Sequence, residues 1–434
     1  FKKFFPKIKK TISLSENKLS LLFKKNDFTI NGKGNIFLQD KIDNISYDLK
    51  KKNKVFNFET LFKINNNPLK IDLLNYEKNG NSNLEISLKG SKDKNNNILI
   101  RSFNLKEDKN EIVIKNLGFN KNFEIIELNE AYLDYFDKEN QKNLIELNKK
   151  KDQYYLVGSL FNANNLIDNL LSNEDDSLNI FNINSKISIN VDKILLDNEY
   201  YLKNFSGEIY FKDKKIFKSE LVGDFPSNKK LKFTINTKEN DKITTLYVDE
   251  AVPIVRQYEF IKGFDEGSLD FYSKKNLNKS VSQLRIYNFK LKELPVLTKI
   301  LTLASLQGIA DILSGEGIRF DEFEMNFKNK GNLMTIEEIY AIGPAISILM
   351  EGYVEKNKLI SLRGTLVPAT TINKFIGSLP VLGKILVGSK TGEGVFGVSF
   401  KIKGPPKKLE TTVNPIKTLT PRFITRTLEK IKRN

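Results

Sequence analysis

Carboxylates, lysines and tyrosines are the only side chains with which this chain could run acid–base chemistry, because its 434 residues include no histidine and no cysteine. Without histidine it lacks the commonest general base and the commonest transition-metal ligand. Without cysteine there is no disulfide framework, thiolate nucleophile or Cys-bound zinc, and the redox compartment stays open. Serine triads, zinc hydrolases and cysteine proteases are therefore excluded. The acidic runs Glu174-Asp175-Asp176, Asp321-Glu322 and Glu337-Glu338 read as solvated loops or strand ends, and the first lacks the ligand spacing of a calcium loop. Residues 392–397 spell Gly-Glu-Gly-Val-Phe-Gly and fit G-x-G-x-x-G to the letter. A dinucleotide site needs a strand before that motif and a helix after it. Here an apolar helical stretch precedes it and an alternating strand follows, so the glycines read as a turn. No catalytic residue, no cofactor and no metal is expected, and the chain reads as a non-enzyme.

The formal charge is +17, yet only eight of the 70 basic residues are arginine. Arginine suits bidentate recognition of phosphate and bases, whereas lysine is a hydrated point charge. The excess of Lys, Asn and Ile matches the coding bias of an AT-rich genome. No nucleic-acid partner is expected, and the charge serves solubility and attraction to anionic membranes.

The elements that would position any site are mostly strands. Period-two alternation runs through Phe181, Ile183, Ile187, Ile189 and Val191, through Ile209 and Phe211, and through Leu231, Phe233 and Ile235. It returns at Leu269 and Phe271, at Phe323, Met325 and Phe327, and at Phe396, Val398, Phe400 and Ile402. Such alternation gives one apolar and one polar face. Clusters such as Asn65-Asn66-Asn67-Pro68 and Asn79-Gly80-Asn81 mark turns. Helical patterns are expected over 164–171, 249–258 with Asp249 as N-cap, 294–313, 371–387 and 421–431. The longest uncharged apolar stretches, 300–310 and 339–350, fall short of the roughly 20 residues a spanning helix needs. A soft boundary is expected near residue 240, separating a strand-rich segment, 1–240, from a region with more Gly, Pro and apolar helix, 241–434.

Two architectures satisfy this pattern. One is a sandwich or barrel whose apolar faces close on each other. The other, favoured because few segments suit a covering layer, is mainly β: a long curled antiparallel sheet forming an apolar groove, with a few short apolar helices in the C-terminal half. Its groove candidates are Ile187, Ile189, Val191, Ile209, Phe211, Phe233, Ile235, Leu269, Phe271, Phe323, Met325, Phe327, Phe396, Val398, Phe400 and Ile402. The stretch 294–313 is apolar on most sides, the pattern of a buried helix or of one that touches lipid.

The octapeptide Leu-Pro-Val-Leu-x-Lys-Ile-Leu occurs at 294–301 and again at 379–386, each copy followed by Gly-Glu-Gly, at 315–317 and 392–394. Internal repeats point to a modular architecture. With Asp249-Glu250-Ala251, Ile261-Lys262-Gly263, Gly364-Thr365-Leu366-Val367-Pro368-Ala369, Asn373, Val413-Asn414-Pro415 and Leu419-Thr420-Pro421-Arg422-Phe423, the chain from about 245 onward resembles the AsmA-like C-terminal region of bacterial envelope proteins, particularly the YhdP type. That resemblance implies a protein anchored in the inner membrane, reaching into the periplasm and passing phospholipid towards the outer membrane. The implied partners are phospholipid and membranes, met through an N-terminal anchor and the C-terminal apolar helices. The chain opens at Phe1 with no apolar signal region and reads as the C-terminal part of a longer protein. Two rival functions stay open: a scaffold that assists outer-membrane protein assembly by strand pairing, and a polysaccharide-binding or hydrolytic protein with two carboxylates about 5 to 10 Å apart.

Overall fold

The computed structural model describes residues 12–25, 27–80, 82–164, 184–197, 199–213, 215–256, 263–292, 295–303, 315–368, 397–406 and 408–416. It is mainly β, as expected, and falls into two compact units, Phe1–Asn228 and Lys229–Asn434. The division precedes the turn between two strands that keep the Lys/Asn texture of the first unit, so composition placed it a dozen residues late, near 240.

The first unit opens with β1 (Ser13–Lys24), β2 (Asp27–Phe37), β3 (Asp43–Lys52) and β4 (Val55–Ile64). A separate hairpin of β5 (Leu69–Ile71) and β6 (Tyr76–Lys78) follows, joined by a single 3-10 turn, Asp72–Leu74. The meander resumes with β7 (Leu84–Lys92), β8 (Ile98–Glu107), β9 (Asn110–Phe119), the short β10 (Ile125–Glu127) and β11 (Glu130–Phe136). It continues through β12 (Lys142–Lys150), β13 (Gln153–Asn162), β14 (Ser185–Leu195), β15 (Tyr201–Lys212) and β16 (Lys215–Asp224). Neighbours pair antiparallel, β4 directly with β7 and β9 directly with β11. The exception is β13–β14, which is parallel.

The second unit contains β17 (Lys230–Lys238), β18 (Asp241–Val248), β19 (Phe264–Asn276), β20 (Lys279–Leu291) and β21 (Ile318–Lys330). After them come β22 (Leu333–Ile342), β23 (Ile346–Glu355), β24 (Leu359–Pro368), β25 (Gly397–Gly404) and β26 (Glu410–Ile416). Each pairs antiparallel with the next. Among the described residues two helices interrupt the ladder, Val252–Val255 after β18 and Pro295–Leu303 after β20.

Turn chemistry sets these registers. Lys52 pairs with Val55, leaving Asn53 and Lys54 as a two-residue loop in which both residues have positive φ, 50° and 65°. That is the type I′ geometry whose twist matches the flanking strands. Several expectations need correction. The pairings give neither closure nor curling within either unit, and one strand pair is parallel. Of the helix expected over 249–258 the described part is a single turn, Val252–Val255, with Ala251 and not Asp249 at its N-cap, and 257–258 lie outside the described residues. Asp249 instead accepts from the Lys230 amide at 2.7 Å and from the Tyr247 hydroxyl. The helix expected over 294–313 is described at Pro295–Leu303. The patterns at 165–171, 371–387 and 421–431, the second octapeptide and Gly-Glu-Gly, and Phe181, Ile183 and Phe396 lie outside the described residues.

Candidate functional site

Residues directly opposite in a ladder point to the same face, so register converts alternation into a surface. In the second unit one line of direct partners runs Leu231, Val248, Leu269, Ile286, Phe323, Ala341, Ile348, Leu366 and Val398. The next runs Phe233, Leu246, Phe271, Leu284, Met325, Ile339, Met350, Gly364, Phe400 and Val413. A third, more mixed, includes Ile235, Thr244, Ser273, Ser282, Phe327, Ile336, Gly352, Leu362 and Ile402. These lines cross every strand from β17 to β26, and every described candidate from Phe233 to Ile402 lies in one of them.

The glycine in the second line has a steric reason. A Cβ at Gly364 would stand 2.6 Å from Phe400 Cζ and 2.6 Å from the Leu349 carbonyl oxygen. The Phe400 ring lies across the glycine and fills its place in the line. At one end of these strands Phe264, Phe289 and Phe320 stack with ring centroids 5.4 and 5.3 Å apart. The opposite face is polar along much of its extent, with Arg363 on Glu351 at 2.6 Å and Lys274 on Asp241 at 2.7 Å.

The first unit repeats the design. Ile45, Phe62, Ile86, Leu105, Ile112, Leu133 and Ile145 are successive direct partners. Beside them run Tyr47, Thr60, Leu88, Phe103, Ile114, Ala131, Leu147, Leu156 and Ile189. The candidates Ile187, Ile189, Val191, Ile209 and Phe211 fall on this face, Ile187 opposite both Tyr154 and Ile209. Alternation did not reveal the part before β14. Register shifts at Lys89/Gly90 and the positive φ of Asn116 change the parity in mid-strand, as bulges do.

Burial along these faces is graded. One end of the first face is sealed by the β5–β6 hairpin, whose Leu69, Ile71, Leu74 and Tyr76 pack onto Ile36, Ile64, Leu84, Leu105 and Ile112. Polar bonds pin this cap. Lys78 donates to the Asn67 and Asn79 carbonyls at 3.1 and 2.9 Å, Asn67 donates to Asp43 at 2.6 Å, and the Tyr135 hydroxyl donates to the Leu74 carbonyl at 2.8 Å. The Tyr76 hydroxyl bonds to Glu107. Burial, reinforced by Glu107, pushes the Tyr76 phenol well above its ordinary range. Burial also holds the Lys78 ammonium below its usual value, against the pull of Glu107 and Asp43. Around that cluster Tyr47, Phe62, Ile86, Phe103, Ile114 and Leu133 pack against it and remain partly exposed. The same holds in the second unit for Phe271, Leu284, Phe323, Met325, Met350 and Leu362. Apart from the main strands, the β5–β6 hairpin forms the only other sheet among the described residues.

Other chemistry is sparse. No group of three or more acidic, His or Cys residues among those described could hold a metal. No described helix is long and apolar enough to cross a membrane, which says nothing of strands. An open polar hollow is lined by Asn116, Glu127, Asn129, Glu130, Asn148 and Lys149 to Lys151. Of its carboxylates Glu130 is engaged by Lys115 at 2.6 Å. Comparison with protein-family models, with curated proteins and with solved structures returns no match.

Proposed function

We propose that this protein is a non-enzymatic carrier of phospholipid in the bacterial envelope, moving lipid between inner and outer membrane along its apolar faces. The observation that carries the reading is the apolar line crossing β17 to β26 that stays half-exposed at Phe233, Leu246, Phe271, Leu284, Met325, Met350 and Val413, beside a line that is almost wholly buried. Monomeric proteins rarely leave a contiguous apolar surface of that extent without a ligand or partner for it. Acyl chains lying across the strands would complete the burial at roughly 0.8 kcal/mol per methylene, and the charged headgroup would stay in water. The strand faces would then act as the floor on which the lipid lies. The resemblance of the chain from about residue 245 to AsmA-like envelope proteins supports the same reading and adds the periplasmic setting, the inner-membrane anchor and the role in outer-membrane lipid homeostasis.

Native mass spectrometry with lipid extraction tests it, on protein purified from bacterial membranes. Co-purifying phospholipid in defined stoichiometry is expected. A lipid-free mass that stays empty after incubation with liposomes would sink the proposal.

A second reading, a scaffold that assembles outer-membrane proteins by strand pairing, draws on β1. Among the described residues it pairs only with β2, and it exposes Leu19, Leu21, Leu22 and Phe23. An open edge of this kind can template another strand. Leu21→Pro would abolish client capture on that reading and leave lipid content unchanged on the first.

A further inference from the structure

On the polar faces lysines stand on carboxylates: Lys63 on Glu85 at 2.8 Å, Lys89 on Glu59 at 3.1 Å, Lys115 on Glu130 at 2.6 Å. Two lysines on the apolar face of the first unit are placed differently. Successive direct partners Phe28, Lys51, Phe56, Lys92 and Ile98 form its border line, at the strand ends opposite the hairpin cap. Lys51 and Lys92 therefore flank Phe56 on the same side of the sheet as the apolar lines. The Lys51 ammonium lies 5.9 Å from the Phe28 ring centroid. Neither lysine meets a carboxylate among the described residues, while Lys63, Lys89 and Lys115 across the sheet do.

Their backbones are two strand spacings apart, about 10 Å, a gap two flexible four-carbon stems can close over the Phe56 ring. The next line inward, Ile30, Leu49, Phe58, Gly90 and Ile100, is apolar. At the far, capped end the buried charges include Asp43 and Glu107. The sealed end also holds the Lys78 ammonium, bonded to backbone carbonyls, so it is at the open border that cations stand without a carboxylate partner among the described residues, with hydrocarbon inward of them.

We infer that Lys51 and Lys92 form the headgroup site for a phosphate-bearing amphiphile of net negative charge, whose acyl chains run from Phe56 towards the capped cluster. The inference rests on the lipid-binding reading and adds to it the headgroup class and the orientation. Free phosphate would gain nothing from the apolar line beside the lysines. A nucleic acid would find two lysines and no arginine in this border line.

The test uses the whole chain incubated with vesicles of phosphatidylcholine alone or mixed with phosphatidylglycerol of the same acyl chains, with bound lipid quantified after re-isolation. Phosphatidylglycerol is expected to be enriched over its vesicle fraction, less so at high salt. Removing both charges, in K51Q/K92Q, is expected to lower its affinity by roughly 5-fold per lysine, about 25-fold together. Phosphatidylcholine uptake should stay as it was, and the polar-face control K63Q/K89Q should behave as wild type. If both lipids load equally, or K51Q/K92Q takes up phosphatidylglycerol normally while Phe62→Asp abolishes loading, the headgroup site is wrong and the lipid reading survives. If wild type takes up neither lipid, both fall. Inorganic phosphate competing as strongly as the lipid would overturn the amphiphile assignment.

Discussion

Replacing Phe271 by aspartate puts a carboxylate in the middle of the apolar surface of the second unit, between Leu246 and Leu284 and against the Phe327, Ile336 and Ile339 cluster. Because Phe271 is half-buried, the carboxylate can keep water, and the fold loses only part of a phenylalanine's burial. Full truncation of a buried Phe costs about 3–5 kcal/mol, so roughly 2 kcal/mol is expected here, which a domain of ordinary stability tolerates. The effect on ligand is larger. A chain crossing the site would leave about four methylenes unburied at about 0.8 kcal/mol each, a loss of about 3 kcal/mol or on the order of 100-fold in affinity. The assay is uptake of a fluorescent-tailed phospholipid, with circular dichroism and a urea melt on the same sample. Tyr272, the next residue, points to the other face and is 43% exposed, so Tyr272→Asp should change neither binding nor stability much. Equal lipid uptake by both variants and wild type, with both folded, would refute the assignment of this face. Phe400 is unsuitable for the same experiment: at 3% exposure its aspartate variant is expected to unfold, although alternation alone puts it on a par with Phe233 and Phe271.

Further outcomes follow from local geometry. Gly364→Ala forces a methyl against Phe400 and the Leu349 carbonyl, and should lower stability by about 1–3 kcal/mol, read from the urea midpoint. Tyr76→Phe removes one partner from the buried Glu107 carboxylate. A cost of about 1–3 kcal/mol is expected, with hydrogen exchange accelerated first in the hairpin, 69–78. The Lys274 ammonium, followed by Asn276, holds the Asp241 carboxyl below its usual value. A depressed carboxylate stabilises the fold above its unfolded pKa and loses that contribution as pH falls through the folded value. Asp241→Asn should therefore slightly flatten the decline in stability below about pH 4, a small effect because the pair is exposed.

The sequence carried the strand texture and, in the second unit, the face. There Phe233, Phe271, Met325 and Phe400 keep one parity through strands whose register is regular near them. Parity failed in the first unit because bulges at Arg101 and Asn116 shift it, so Phe103 and Ile100 share a face although they stand three positions apart. The hairpin cap was not legible either. Its Asn-rich flanks read as turns, and nothing local shows that Tyr76 and Lys78 fold back over strands formed by residues up to sixty positions later. Lys51 and Lys92 were hidden by abundance, two lysines among many, and only register sets them beside Phe56. Asp249 shows a local rule overridden: a good capping residue was taken by the Lys230 amide across a strand pair.

The lines of side chains in the second unit also make its length countable. Antiparallel neighbours alternate in direction, so strands can be removed or added two at a time without turning any side chain to the wrong face. Excising β21 and β22 would bring β20 beside β23, with Leu284 and Ile286 meeting Met350 and Ile348 in the same lines. The unit would shorten by two strand spacings, about 10 Å. A protein built this way can be fitted to a different span by gene-level loss or duplication of single hairpins, each step preserving a continuous apolar surface.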